Sequence, residues 1–312
     1  MRHFKFITLS AVATLMLSAC GTTSTVPITG RKHTLLVSDS EVLSLSNQQY
    51  SEFMKTAKAS TNTQNTAMVK RVGQRLATAV ETYLKNNGLS SEIQNFSWTF
   101  NLVQNTEANA FCMPGGKIVV YEGILPITQN EASLAIVLGH EIAHAVAKHS
   151  AEQMSKKLRQ QYGTQIGGAL LGQVVGSSAA SIASQLAQTG FSLANLKYSR
   201  DDETEADHMG LIFAAMAGYD PQVAVPFWQR MSSSSSSNKS DFLSDHPSDA
   251  KRIAALQSEM SEALKYYKAS GYANTTQTTT KKATTTKKTT TTKKTTTTKT
   301  TTTKKSTSTK RK

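Results

Sequence analysis

The segment His140-Glu141-Ile142-Ala143-His144 constrains this chain more than any other. It lies within Glu131 to Ser150, whose apolar residues fall on most sides of a helix, so the stretch reads as one long buried helix. Histidine and glutamate buried there need partners. Residues four apart on a helix are separated by about 40° of rotation and about 6 Å of rise. Both imidazoles therefore reach one point from one face, and Glu141, about 100° around from His140, stands beside that point. A metal ion fits the pattern. Zinc takes nitrogen ligands and keeps one position open for water in catalytic sites, and a carboxylate beside it can take that water's proton. With seven histidines in 312 residues, the motif is expected by chance only about 0.006 times per chain. Two histidines merely satisfied in a core are the weaker reading.

A third ligand is expected from another helix. Ser199 to Asp207 offers acids in excess, and the spacing leaves Glu203, Glu205 and Asp207 open as candidates. Glu203 and Asp207 are four apart and share a face, so one can bind metal while the other orients a ligand histidine. The plain alternative is an acidic helix start favoured by the helix dipole. His149, nine residues after His140 on the same expected helix, sits at the wrong angle and reads as a surface or helix-end residue. Cys112 lies near the site in the pattern, but no triad accompanies it.

Around this core the chain reads as mainly helical. Helices are expected over Ser40 to Lys58, Thr66 to Leu84, Asp201 to Met216, Pro221 to Met231 and Ala250 to Tyr267. Phe96, Trp98, Phe100 and Leu102 alternate with polar residues as in a half-buried strand. Pro114-Gly115-Gly116 signals a turn, and Lys117 to Tyr121 is a short β-branched strand. Gly167 to Leu193 is small and apolar, either a core helical hairpin or a mobile lid over the metal, and Ser232 to Ser237 reads as a mobile loop.

The ends carry the charge. The sequence has 35 Lys+Arg against 21 Asp+Glu, a net charge of +14. Twelve of the basic residues follow Asn274 in a Thr/Lys tract, and two more, Arg2 and Lys5, open the chain. The remainder is formally neutral, which argues against a nucleic-acid reader. The tract lacks large apolar residues and reads as disordered, either a solvated spacer or a tether to anionic envelope polymer or lipid. Phe6 to Leu17 is too short to span a bilayer at about 20 residues, and it ends in Leu17-Ser18-Ala19-Cys20-Gly21, which resembles a bacterial lipobox. That likeness implies lipidation of Cys20 and, with Gly21 following, an outer-membrane destination. Cys112 is then left without a disulfide partner.

Three further segments join the HExxH motif. They are Ser199-Arg200-Asp201-Asp202-Glu203-Thr204-Glu205-Ala206-Asp207, Asn109-Ala110-Phe111-Cys112-Met113-Pro114-Gly115-Gly116-Lys117, and His246-Pro247-Ser248-Asp249-Ala250-Lys251-Arg252. Together, in this order, they resemble the zinc metallopeptidases of the HtpX and CAAX-prenyl-protease group, peptidase family M48, and most closely its soluble-domain branch of bacterial lipoproteins and the Oma-type protease. The likeness covers roughly residues 60 to 260. It implies an α+β, mainly helical zincin (gluzincin-like) domain with a small sheet edging the active site. It implies one Zn2+ per chain on His140, His144 and Glu203, with Glu141 as general base and Asp207 orienting a ligand. It places His246 near the metal, as a transition-state donor or an occluding fourth ligand, and makes Arg252 a structural or substrate-side partner. Asn109, Phe111, Gly115, Gly116 and Lys117 would line the substrate edge, with a peptide extended against Lys117 to Tyr121. The membrane-spanning branch is excluded, since no apolar run of 18 residues occurs.

The expected organisation is a lipoprotein signal peptide at 1–19, a lipidated linker at 20–40, a zinc metallopeptidase domain at 41–272 and a basic tail at 273–312. The expected function is a zinc endopeptidase on the periplasmic face of the cell envelope, acting on misfolded or misassembled envelope proteins. The alternative is an assembly factor or chaperone that binds extended segments, with proteolysis secondary.

Overall fold

The computed structural model describes residues 22–163, 190–234, 241–246 and 250–272. The expected signal peptide and Cys20, most of the small apolar stretch, part of the serine run and the Thr/Lys tail lie outside these residues.

Strands β1 (Thr22–Thr25) and β2 (Lys32–Leu35) pair antiparallel, Thr22 opposite Leu35. Helices α1 (Asp39–Thr56), α2 (Thr63–Asn86) and α3 (Ser90–Ile93) follow. Strands β3 (Thr99–Val103), β4 (Ala110–Met113) and β5 (Lys117–Tyr121) come next. Then come α4 (Leu125–Thr128), α5 (Glu131–Val146), α6 (His149–Gly163), α7 (Arg200–Met216), α8 (Ala224–Ser234), α9 (Asp241–Asp245) and α10 (Ala250–Ala269). The architecture is α+β and mainly helical, as expected. Among the described residues no helix is long and apolar enough to cross a membrane.

Local chemistry sets these boundaries. Ser38 and Glu41 form a capping box at the start of α1, and Asn130 caps α5 through Ser133 N–H. Along α2, Val69, Val72, Leu76, Val80 and Leu84 are fully buried at three- and four-residue spacing. Each such side chain contributes about 1.5–3 kcal/mol on leaving water. The α5 helix is buried on most sides between α7, α2 and the sheet. Helices α5 and α7 cross at Gly139 and Gly210, where a Cβ on Gly139 would lie 2.6 Å from the Gly210 carbonyl oxygen. Only two glycines allow that approach.

Four expectations change. The linker assigned to 20–40 is folded from Thr22 onward: Val26, Leu35 and Val37 are buried, and the hairpin is part of the domain. The β-branched Thr22, Thr23 and Thr25 and the turn residues Pro27 and Gly30 account for it. The helix expected over Glu131 to Ser150 ends at Val146, because Lys148 turns left-handed at φ 59° and α6 starts in a new direction. The strand at Phe96 begins only at Thr99, while Phe96 and Trp98 stack at 4.6 Å before it. Finally, the sheet order is β3-β5-β4. The Lys117–Tyr121 strand is therefore central, parallel to β3 and antiparallel to β4. Its backbone groups are used on both sides, so it cannot take an added strand. The edge beside α5 is β4, a strand hidden in sequence behind the Pro114-Gly115-Gly116 turn signal.

Candidate metal centre

The α5 helix presents His140 and His144 one turn apart, as the motif requires, with their Nε2 atoms 3.1 Å from each other. Helix α7, brought close by the glycine crossing, adds Glu203. Its Oε2 lies 3.4 Å from His140 Nε2 and its Oε1 3.4 Å from His144 Nε2. Bonds of about 2.0–2.1 Å to a tetrahedral ion place ligand atoms about 3.3–3.4 Å apart, so the two imidazoles and the carboxylate already have the spacing of groups that share a cation. His246, following α9, brings Nδ1 to 3.2 Å from His140 Nε2 and 3.0 Å from Glu203 Oε1. Ligand atoms of the four residues all fall within 4.8 Å of one another. His246 therefore stands where a fourth ligand belongs.

The donor set fits a metal on other grounds. Two imidazole nitrogens face each other across 3.1 Å with room for at most one proton between them. Glu203 Oε2 is buried without a hydrogen bond, although the Arg252 guanidinium lies 2.9 Å away as an ion pair. The outer nitrogens of both rings have buried partners of their own. His140 Nδ1 lies 2.9 Å from Asp207 Oδ1, and His144 Nδ1 lies 2.8 Å from His149 Nδ1. Such outer partners fix the tautomer that leaves Nε2 as the ligand atom. With two nitrogen donors, a carboxylate and a third imidazole, the set matches zinc.

Burial and neighbouring groups shift the ionisation of these residues in different directions. For Glu203, burial pushes its pKa up, but the charge of His246 and hydrogen bonds from His140, His144 and His246 prevail and hold it far below the usual carboxylate range. For His140, burial works downward, and the hydrogen bonds to Asp207 and Glu203 outweigh it to give about 9. Burial lowers His144 well below its ordinary value. Burial likewise raises Glu141, against the charges of His246 and His140 and a backbone hydrogen bond from Cys112. A raised pKa on a carboxylate beside the centre suits a group that accepts and returns a proton.

All three candidate acids of α7 are used, each differently. Glu203 faces the cluster, Asp207 takes His140 Nδ1–H, and Glu205 lies 2.9 Å from His149 Nε2. Arg252 turns toward Asp207 and Glu203. It is 5% exposed and grips Asp207 from Nε at 2.6 Å and Nη2 at 2.7 Å. Trp228 packs under its guanidinium at 4.4 Å. Glu141 Oε1 is 3.6 Å from His246 Nε2, beyond hydrogen-bond reach.

Of the expected substrate-edge residues, Phe111 belongs to the edge strand, and Asn109 stands just before it and accepts from Tyr121 N–H at 3.0 Å. Gly115 and Gly116 form the left-handed turn after it. Lys117 opens the central strand, so its backbone belongs to the sheet. The edge is engaged by the chain: Phe242 N–H donates to Ala108 O at 3.2 Å, and its ring stacks on His246 at 4.6 Å. With His140, His144 and Glu203 each 1% exposed and His246 4% exposed, the cluster is closed in this conformation.

Two site residues were not legible beforehand. His149 is fully buried against His144 rather than on the surface, because the Lys148 corner turns it back. Tyr198 stacks on His144 at 3.9 Å and sits 3.1 Å from Ser150 Oγ. Its place just before the Ser199 helix cap is the only sequence cue. Cys112 is buried and its thiol is pushed well up by burial, which removes the reactive thiolate.

Residues 63–260 match Peptidase family M48. The mitochondrial metalloendopeptidase OMA1 of Arabidopsis thaliana is 37% identical over 187 residues, covering 59% of this chain and 36% of that protein. The mitochondrial metalloendopeptidase OMA1 of Homo sapiens is 30% identical over 245 residues, 77% of this chain and 46% of that protein. A beta-barrel assembly-enhancing protease of Yersinia pestis is 30% identical over 175 residues, 55% and 36% respectively. The chain thus spans about a third to a half of the length of the curated relatives it matches.

Proposed function

We propose a reaction from the family: the chain belongs to peptidase family M48, a metalloendopeptidase family, and we assign it zinc-dependent hydrolysis of peptide bonds. One observation carries this reading. His140 Nε2, His144 Nε2 and the Glu203 carboxylate stand 3.1–3.4 Å apart around one point, with Glu141 next to it. Zinc bound there supplies Lewis acidity, acidifying water and polarising the substrate carbonyl. His140 and His144 offer Nε2 because Asp207 and His149 hold their Nδ1 atoms. Glu141, raised by burial, takes the proton of the attacking water and returns it to the leaving nitrogen. Asp207, clamped by Arg252, keeps the His140 ring in its ligating tautomer.

An extended peptide would add to the outer edge of β4, in place of the bond from Phe242 N–H to Ala108 O. The backbone supplies most of that affinity, so sequence preference is expected to be weak. A movement that freed this edge would also carry His246, whose N–H donates to Phe242 O at 2.8 Å, away from His140 and Glu203.

The substrates we propose are unfolded or misassembled proteins of a bacterial envelope, with the chain held at Cys20 facing the periplasm. The lipobox-like Leu17 to Gly21 and the likeness to a protease named for β-barrel assembly favour this setting. The OMA1 relatives are mitochondrial by name, and that name is not carried over. The basic tail is proposed as a tether to anionic polymer or lipid. A second reading, an assembly factor that binds extended segments, is favoured by the closed centre. Glu141→Gln in zinc-loaded protein tests the first: cleavage of unfolded casein at the wild-type rate would refute it. Rescue of every deletion defect by Glu141→Gln in cells would favour the second.

A further inference from the structure

Behind His144 runs a line of polar contacts that ends in the N-terminal hairpin. His144 Nδ1 meets His149 Nδ1 at 2.8 Å, and His149 Nε2 meets Glu205 Oε2 at 2.9 Å. Glu205 then accepts from Arg31 Nε at 2.7 Å and Thr29 Oγ1 at 2.5 Å. Arg31 also grips Glu152 with both terminal nitrogens, and Glu152 meets His33 Nδ1 at 2.8 Å.

The proton order along this line is fixed by the ion's requirement. If His144 ligates through Nε2, its Nδ1 carries the proton and donates to His149. His149 then carries its own proton on Nε2 and donates to Glu205. Glu205 must be held as an acceptor in one orientation, which Arg31 and Thr29 do. His149 is fully buried, so loss of either neighbour leaves an unsatisfied ring nitrogen in the core.

The loop that delivers Thr29 and Arg31 is strained. Ile28 has φ 69°, a left-handed conformation that β-branched residues rarely adopt. The loop is closed by Val26 N–H to Arg31 O at 2.8 Å and Gly30 N–H to Val26 O at 3.0 Å. Strain of this kind persists where surrounding contacts over-determine it, and it concentrates at functional sites. Here the loop is held by these backbone bonds together with the contacts of Thr29 and Arg31 to Glu205.

We infer that the Val26–Arg31 loop is a positioning element of the metal centre, acting through Glu205 and His149 on His144. The inference rests on the zinc reading above. Outer partners of metal-bound histidines contribute about 10–100-fold to metal affinity.

The test uses the full chain, stripped of metal and titrated with zinc against a chromophoric chelator, with cobalt(II) absorption as a second readout. His149→Phe and Glu205→Ala should lose about 10–100-fold in zinc affinity and alter the cobalt band. Arg31→Ala and Thr29→Val should shift both in the same direction. Glu205→Gln, which keeps an acceptor for His149, should recover most of the loss seen in Glu205→Ala. Thr29→Val is a near-isosteric loop change and keeps the test decisive if the buried His149 and Glu205 replacements do not fold. Unaltered affinity and cobalt spectrum in Arg31→Ala and Thr29→Val, with tight binding by the parent chain, would overturn this inference alone. A parent chain that binds no zinc would overturn the metal centre and this inference with it.

Discussion

Gly139 and Gly210 meet backbone to backbone. A Cβ on Gly210 would lie 2.6 Å from His140 N, and one on Gly139 would lie 2.6 Å from Gly210 O. This contact sets the distance between the helix that carries both histidines and the helix that carries Glu203 and Asp207. In an exposed helix, Gly→Ala gains about 0.5–1 kcal/mol. Here the new methyl group strikes backbone that cannot rotate away. Gly210→Ala is expected to lose about 1–3 kcal/mol and to weaken zinc binding, read from urea midpoints and chelator competition. A gain in stability with unchanged zinc affinity would show that the helices need no such approach.

His246 Nδ1 occupies the fourth corner of the donor set, 3.0 Å from Glu203 Oε1. His246→Ala should therefore weaken zinc binding while raising the initial rate of casein cleavage, because the corner opens to water. If His246 is instead an oxyanion donor, the rate falls by the factor of about 10²–10³ usual for such a donor.

Arg252 neutralises Asp207 and Glu203 in a buried setting. Arg252→Met takes the guanidinium from both carboxylates and leaves them only their histidine partners, and removing one partner of a buried pair costs about 3–5 kcal/mol. Arg252→Lys cannot reproduce the two-pronged contact. Both variants should lower the melting temperature of the metal-free chain, the lysine form by less.

Acid should loosen the hairpin. Glu152 and Glu205 are each pushed up by burial. Contacts to His33 and Arg31 for Glu152, and to His149, Arg31 and Thr29 for Glu205, prevail and hold both pKa values at about 2, against an ordinary 4.5. Folded values below the unfolded one mean that this stabilisation is complete above about pH 4.5 and fades as pH falls toward 2. Urea midpoints of the metal-free chain should follow that window. The gap between the parent and Arg31→Ala should be widest near neutrality and shrink in acid. A constant gap from pH 7 to 3 would contradict it.

The sequence made the centre legible because its chemistry is periodic. His140 and His144 share a helix face at a fixed spacing, and the acids of α7 repeat at two and four residues. Periodicity alone left Glu203, Glu205 and Asp207 equivalent, and only the crossing at Gly210 assigns them different partners. The strand Lys117–Tyr121 was found at its observed bounds, yet its central place was not, since strand order depends on long-range pairing. Helical arithmetic puts His149 off the metal face only while the helix is continuous, and it ends at Val146. The corner at Ala147 and Lys148 contains neither glycine nor proline, so nothing local announces it. Tyr198 and the hairpin contacts depend on segments far apart in the chain and leave no local signature.

That corner sets a strict limit on length. Lys148, left-handed and tied to Asp39 at 2.8 Å and Glu92 at 2.9 Å, allows only a few residues between one buried histidine and the next. A single residue inserted there would leave HExxH intact and recognisable while swinging His149 away from His144. Chain length at this point, and not residue identity alone, distinguishes a complete centre from one that merely carries its motif.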